Sequence, residues 1–476
     1  MILTSNKRID PHSIISNKKG AISIMNKKES LKRSYNKFLK TKGINNNMSG
    51  FKPLWMPDFL YDFQKELVDW SIQKGRSALF EDCGLGKTPQ QLVWAQNIIQ
   101  KTNGNVLILT PLAVSYQTGR EAEKFELKSN RSQDGTVYKG INITNYERLK
   151  YFDPNDFDGV VCDESSILKN FDGKLRSSIT EFMNKVNYRL LCTATPAPND
   201  FVELGTSSEA LGSMTRNQML GMFFTHDGKT SSQWNLKGHA KKRFWQWVST
   251  WARALRKPSD LGFDDDGFIL PPLNFHRHIV KSNYKENCLL PSAAIGLDEQ
   301  RLEKRRTLLL RCEKVASLVS TDKSCLIWCH LNTEGDLLEK IIPDAIQVSG
   351  SNSDEDKENR LIGFSKGDIR VLITKPKIGG FGMNWQHCSE MTFFPSHSHE
   401  QFYQASRRCW RFGQKNEVNC HLVSSNRESI IMHNMIRKER QSIEMYDGII
   451  QEMSEFQLGK KESKTKTKKM EVPKWL

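Results

Sequence analysis

The chain has 476 residues, 38% of them hydrophobic, and a net charge of +16. That length gives room for two or three domains with buried cores. No run approaches the ~18 apolar residues of a membrane span, and the N-terminus lacks the apolar core of a secretory signal. Ten scattered cysteines without paired C-x-x-C spacing point to a reducing, cytoplasmic compartment and away from a disulfide scaffold or a structural zinc.

Residues 1–50 hold eleven Lys/Arg against two acids, and residues 459–476 hold seven Lys against two Glu. Thus +14 of the net charge sits in the two ends, and the middle of the chain is close to neutral. Basic ends suit nucleic acid or another polyanion, but solvated, disordered tails have the same composition. From residue 51 the pattern alternates. "RSALF" (76–80) reads as a strand, "PQQLVWAQNIIQK" (89–101) as an amphipathic helix, and "NVLILT" (105–110), "INITNY" (141–146), "FDGVVCDE" (157–164) and "YRLLCTATP" (188–196) as further strands. Residues 201–270 interrupt this rhythm with a Trp-rich helical insertion containing Trp234, Trp245, Trp247 and Trp251. Trp245, Trp247 and Trp251 suit packing of an accessory subdomain, or alternatively a base-stacking platform. The rhythm restarts with "SCLIWCH" (324–330), "DAIQVSG" (344–350), "IRVLIT" (369–374), "MTFFP" (391–395) and "VNCHLV" (418–423). Within it Cys325, Cys329 and His330 sit in an apolar run, where thiols are buried on a strand. Strands separated by helices predict two successive α/β domains with parallel sheets. The expected boundaries are a basic tail at 1–50, a first lobe at 51–200, the insertion at 201–270, a second lobe at 271–450 and a basic tail at 451–476.

"EDCGLGKT" (81–88) lies between a strand and a helix, where a phosphate loop must lie. Gly84 and Gly86 permit close backbone approach, Lys87 would reach the β- and γ-phosphates of ATP, and Thr88 would place its hydroxyl on Mg²⁺. The first glycine of G-x-x-x-x-G-K-[ST] is missing, and Glu81 stands there. "GVVCDESS" (159–166) is an apolar strand ending in acids. Asp163 is predicted to hold Mg²⁺, and Glu164 to orient or deprotonate the attacking water. In "TATPAPN" (193–199), Thr193 and Thr195 could hydrogen-bond to the Asp-Glu loop and couple the site to its surroundings. The second half contributes "KIGGFGMNW" (377–385), whose glycines suit a tight turn, and "QASRRCWRFGQ" (404–414). In the latter Arg408 and Arg411 share a helical face and could act as arginine fingers.

The ordered set resembles superfamily-two helicases and translocases, and most nearly the Swi2/Snf2-like ATPases. That group shows D-x-G-x-G-K-T without the first glycine, so the loop needs no repair. The resemblance covers roughly residues 55–200 and 270–440. It implies two tandem RecA-like lobes that clamp ATP and Mg²⁺ and move along DNA. "LYDFQKELVDW" (60–70) resembles the adenine-reading Q motif, with Gln64 as its reader. "LILTPLAVSYQ" (107–117) and "ITNYERL" (143–149) resemble DNA-facing motifs, which assigns Thr110, Pro111, Thr144 and Asn145 to nucleic acid. "GGFGMNW" and "QASRRCWRFGQ" resemble motifs V and VI. They add Gly379 and Gly380 as nucleic-acid contacts, Gly382 at the nucleotide and Gln404 as a coupling residue. Ser165 and Ser166 depart from the family's Asp-Glu-Ala-His box, which leaves the acids intact and puts coupling in question. Compact members of this kind resemble those of bacteriophages and prophages, which implies a bacterial or infected-host cytoplasm. The implied partners are duplex, forked or branched DNA and proteins bound to it, with no membrane. An ATP-switched clamp on nucleic acid and an RNA helicase remain the alternatives.

Overall fold

The computed structural model describes residues 48–169, 173–226, 234–281, 297–380 and 383–462. Most of both predicted tails lies outside these residues, as does Gly382.

The apolar runs of the first half become strands: β1 (Arg76–Glu81), β2 (Val106–Thr110), β3 (Ser129–Arg131), β4 (Ile141–Asn145), β5 (Gly159–Asp163) and β6 (Tyr188–Cys192). They are followed by a small antiparallel hairpin, β7 (Phe224–His226) with β8 (Trp234–Leu236), and by β9 (Ala252–Leu255). Seven of the strands form one parallel sheet in the order β3-β4-β2-β5-β6-β1-β9. Every residue of β2, β4 and β5 is buried. Such uniform burial is expected of a parallel sheet covered on both faces, and it explains why these segments read as unbroken apolar runs. The helices α1 (Asp62–Lys74), α2 (Lys87–Thr102) and α3 (Leu112–Lys124) belong to this lobe. Because the strands are parallel, the chain leaves β1, β5 and β6 at the same edge of the sheet. These three are neighbours, so the phosphate loop, Asp163 and Thr193 arrive side by side.

The Trp-rich segment is less separate and less helical than its sequence suggests. Its helix α4 (Lys241–Ser249) buries Phe244, Trp245 and Trp247, and the chain then adds β9 beside β1, with Ala252 opposite Ala78. Trp245, Trp247 and Trp251 belong to the same hydrophobic core as β1 and β5 and are at most 3% exposed. At that burial they cannot form a base-stacking platform. The strand "ARAL" carries no strand signal of its own, and its pairing with β1 decides its conformation.

The second half builds a six-stranded parallel sheet from β10 (Leu273–Val280), β11 (Cys325–Trp328), β12 (Ala345–Val348), β13 (Val371–Thr374), β14 (Glu390–Phe393) and β15 (Val418–Ser425), in the order β10-β15-β14-β11-β13-β12. Cys325 and Cys329 are buried there. Two tandem parallel-sheet lobes were legible in the sequence; edge strand β10 was not. Helix α5 (His399–Ser406) carries the start of the arginine motif, and α6 (Ser429–Glu462) closes the described chain. No helix among the described residues is long and apolar enough to cross a membrane.

The last helix does not stay with the second lobe. Met445, Tyr446, Ile449 and Met453 are buried in the core of the first lobe, and the Tyr446 hydroxyl donates to Ala194 O at 2.9 Å. The approach is close because residue 448 is glycine: a Cβ there would stand 2.7 Å from the Trp245 ring. Gly448→Leu should therefore destabilise the protein by about 1–3 kcal/mol, the usual cost of overpacking. Urea denaturation of variant and wild type measures it.

Candidate nucleotide site

The phosphate loop turns left-handed twice, at Gly84 (φ 92) and Gly86 (φ 80), before α2 begins at Lys87. Side chains are excluded at both positions. A Cβ on Gly84 would lie 3.0 Å from the Phe412 backbone nitrogen of the second lobe, and one on Gly86 would lie 2.3 Å from Gln64 Nε2. Lys87 Nζ donates to Glu81 O (2.9 Å) and Asp82 O (3.1 Å), folding the loop around the ammonium. Acidic groups surround the Lys87 ammonium. Burial works against its charge, but Cys83, Glu164, Glu81 and Asp163 together raise its pKa.

Glu81, in place of the first glycine, is fully buried. Its Oε2 accepts from Gln90 Nε2 at 2.7 Å. Burial pushes its carboxyl up to about 7, against the pull of Lys87 and the Gln90 hydrogen bond.

At the tip of β5, Asp163 Oδ1 accepts from Gln91 Nε2 at 2.7 Å, and its backbone carbonyl accepts from the Tyr146 hydroxyl. Burial, then the neighbouring Glu164, raises the Asp163 carboxyl to about 7. Glu164 has a left-handed backbone, φ 52. Its Oε2 accepts from Thr193 Oγ1 at 3.2 Å in the first lobe and from Gln404 Nε2 at 3.3 Å in the second. Thr195 N donates to Thr193 Oγ1 at 3.0 Å. Ser165 Oγ is buried without a hydrogen-bond partner, and Ser166 Oγ donates to Glu164 O at 3.5 Å.

From the second lobe, Gln404 Oε1 accepts from Arg408 Nη2 at 2.9 Å. Arg408 and Arg411 both donate to Met383 O, at 3.1 and 3.0 Å. Burial and the adjacent Arg408 lower the Arg411 pKa to about 10. The cavity between the lobes has a volume of about 340 Å³, and its lining includes Gly84, Gly86, Lys87, Thr88, Asp163, Glu164, Arg408 and Arg411. Eight residues predicted for a nucleotide site thus line one cavity. Thr88 and Asp163 supply oxygen donors suited to Mg²⁺. Burial raises the carboxyls of Glu81 and Asp163, and a divalent cation beside Asp163 would favour its ionised form.

Other placements differ from expectation. Gln64 does not line the cavity. Its Nε2 donates to Leu85 O at 2.7 Å and its Oε1 accepts from Tyr61 N at 3.0 Å, so both polar ends brace the phosphate loop and the start of α1 and neither is turned to a base. Thr110, Pro111, Thr144 and Asn145 do gather at the ends of adjacent strands, Thr110 opposite Asn145. Thr110, Thr144 and Asn145 are buried, however. Thr110 Oγ1 donates to Pro111 O (3.0 Å), and Asn145 Oδ1 accepts from Arg148 N (3.1 Å). The exposed groups nearby are Leu112 and Tyr116, with Arg131 stacked over the Tyr116 ring at 3.3 Å. Gly379 and Gly380 are buried beyond β13, next to exposed Lys377. Sequence reading missed Gln91, Gln117 and Glu121. Gln91 follows Lys87 by one helical turn, and Gln117 and Glu121 are spaced by one turn on α3, Gln117 Nε2 donating to Glu121 Oε1 at 2.9 Å. Such i,i+4 spacing was the available signal.

No family model matches the chain. Among curated proteins it is similar to SWI/SNF-related matrix-associated actin-dependent regulator of chromatin subfamily A-like protein 1 of Drosophila melanogaster, 22% identical over 430 residues, which is 81% of this chain and 56% of that protein. It is also similar to SWI/SNF chromatin-remodeling complex subunit snf22 of Schizosaccharomyces pombe, 21% identical over 502 residues, 82% of this chain and 28% of that protein. Both of these relatives carry SWI/SNF names. The chain spans about half the length of the first and under a third of the second. A solved structure described as the Sulfolobus solfataricus SWI2/SNF2 ATPase core in complex with dsDNA is 16% identical and covers 86% of this chain and 98% of that chain, with a TM-score of 0.40. An overlap of that score carries no weight, and the fold rests on the two sheet orders given above.

Glu81 gives the site a pH signature. Its folded pKa of about 7 lies above the ordinary 4.5. The stabilisation from its bound proton is therefore complete below pH 4.5 and is lost as pH rises towards 7. Glu81→Gln, which keeps a neutral group, should be more stable than wild type at pH 8 by up to about 3 kcal/mol. The advantage should shrink to nothing near pH 4.5. Urea denaturation at the two pH values measures the difference.

Proposed function

We propose that the chain is a nucleic-acid-stimulated ATPase, a DNA translocase or helicase that couples hydrolysis between its lobes to movement along DNA or remodelling of it. The observation that carries this reading is the carboxylate of Glu164, held by Thr193 from one lobe and Gln404 from the other, beside Lys87 and opposite Arg408 and Arg411. The Snf2-type relatives support the same reading. Under it, the loop backbone and Lys87 hold the β- and γ-phosphates, and Thr88 and Asp163 hold Mg²⁺, which would neutralise charge on the transferring phosphoryl group. Glu164 orients the attacking water and takes its proton. Arg408 and Arg411, drawn from Met383 O to phosphate, answer the charge that develops in the transition state. Since Gln404 touches both Glu164 and Arg408, the position of the second lobe and the state of the base are linked. DNA contacts fall to the strand ends near Pro111, Tyr116 and Lys377, mostly through phosphate. The finer assignments to a compact phage-type protein and to forked or branched DNA rest on resemblance.

The test is the rate of ATP hydrolysis on single-stranded, duplex, forked and four-way DNA, with RNA as control. Stimulation by DNA above RNA is expected. Slow hydrolysis even at saturating DNA would leave only a switched clamp, and preference for RNA would change the substrate. Lys87→Ala should abolish turnover in a folded protein, while Glu164→Gln should bind Mg-ATP and not hydrolyse it, as nucleotide titration followed by a phosphate-release assay would read. Arg408→Ala and Arg411→Ala should each lower kcat by about 10³-fold or more, as arginine fingers do. Wild-type rates in both would make the pair structural.

A further inference from the structure

Asp82 opens the phosphate loop but does not line the cavity. One of its oxygens, Oδ1, gathers three groups. It accepts from Cys83 N at 2.6 Å and from the Tyr403 hydroxyl at 2.6 Å, and Arg407 Nε lies 3.6 Å away. Tyr403 and Arg407 belong to the second lobe, so the lobes meet here at the loop itself. The contact is well sheltered, with the Arg407 and Asp82 side chains only 12% and 16% exposed. Arg407 is also held in place by its neighbours. Its guanidinium lies over the Tyr403 ring at 4.0 Å and the Trp410 ring at 4.5 Å, and Nη1 donates to Ser406 Oγ at 3.3 Å. Burial works against its charge, but Tyr403, Asp82, Cys83 and Glu439 together raise its pKa. An arginine so pinned is turned to a carboxylate of the protein and away from the nucleotide cavity, unlike Arg408 and Arg411.

The spacing gives this contact its purpose. Tyr403 and Arg407 are one helical turn apart, and so are Gln404 and Arg408, one residue later. The first pair grips Asp82, and the second pair carries the link from Glu164 to Arg408. We infer that Asp82, Tyr403 and Arg407 form a latch that seats the second lobe on the phosphate loop and thereby sets the register in which Gln404 and Arg408 meet Glu164. All three are positioning residues, since none lines the cavity. A displacement of about 1 Å at a reacting group can cost 10²-fold in rate, so a small slip in this register is felt in turnover. The inference rests on the ATPase reading above for its kinetic consequence, but the contact itself does not require nucleotide.

The experiment compares wild type with Asp82→Asn, Arg407→Gln, Arg407→Lys, Tyr403→Phe and the Asp82→Asn/Arg407→Gln double variant, at saturating DNA. Asp82→Asn and Arg407→Gln should each lower kcat by about 10- to 100-fold, with KM for Mg-ATP nearly unchanged. The double variant should be no worse than the poorer single one, because the two share one interaction. Arg407→Lys should recover part of the rate, and Tyr403→Phe should lose part of it. Unchanged kcat in both single variants, or losses that multiply in the double, would overturn the latch. A rise in KM alone would make Arg407 a nucleotide contact and overturn it equally. Hydrogen exchange of the unliganded proteins gives a second readout: exchange should rise together in residues 82–88 and 399–411 of Arg407→Gln, and no change in either would sink the inference. If the wild type hydrolyses no ATP, the ATPase reading fails, and the exchange comparison still decides the latch.

Discussion

The Glu164 carboxylate is bound from both lobes at once, by Thr193 and by Gln404. A non-glycine residue in left-handed backbone costs of the order of 1–3 kcal/mol and persists only where its surroundings over-determine it. Here they do. Asp163, one residue before, is fixed by Gln91 on its side chain and by Tyr146 on its carbonyl, and Glu164 is then caught by Thr193 and Gln404. The strain turns the acid out of the line of β5 and towards the second lobe. Without it, a residue following a buried strand would continue along the sheet edge. The parallel order of β5, β6 and β1 supplies the remaining requirement, because it puts the threonine, the acids and the lysine on adjacent strand ends.

The electrostatics follow from the same crowding. Glu81, Asp163 and Glu164 surround a single ammonium, and burial raises the pKa of the first two. On the facing wall, Arg408 and Arg411 share one carbonyl, and their mutual repulsion adds to burial in weakening the proton affinity of Arg411. Acids thus crowd one wall around Lys87, and two arginines crowd the other. Opposite charge between the walls, or the approach of the walls themselves, relieves both at once.

Much of this was legible in the sequence, and for definite reasons. Runs such as "VLILT" and "GVVCD" are apolar throughout because both faces of the sheet are covered, so strand and parallel class could be read together. That Lys87, Thr88, Asp163, Glu164, Arg408 and Arg411 would gather at one cavity was legible because their motifs tie residue type to a local turn or strand end. What escaped depends on contacts distant in sequence. The strand character of "ARAL" comes from β1, some 170 residues earlier in the chain. Gln64 carries an adenine-reading pattern, yet the close approach of Gly86 gives its amide to the loop. The strand-end residues Thr110 and Asn145 fold onto their own backbone, and the exposed surface passes to side chains such as Tyr116 that no motif singled out.

Helix α6 is continuous with the second lobe in sequence, but Tyr446 and its neighbours pack into the first. Away from the contacts at the cleft, the second lobe is therefore joined to the first at two places, by the chain between β9 and β10 and by this returning helix. A body pinned at two points keeps one easy freedom, rotation about the line that joins them, and the opposite rim travels farthest. Opening the cleft about that line would resemble the swing of a door, with the helix that touches Ala194, between Thr193 and Thr195, on the hinge side.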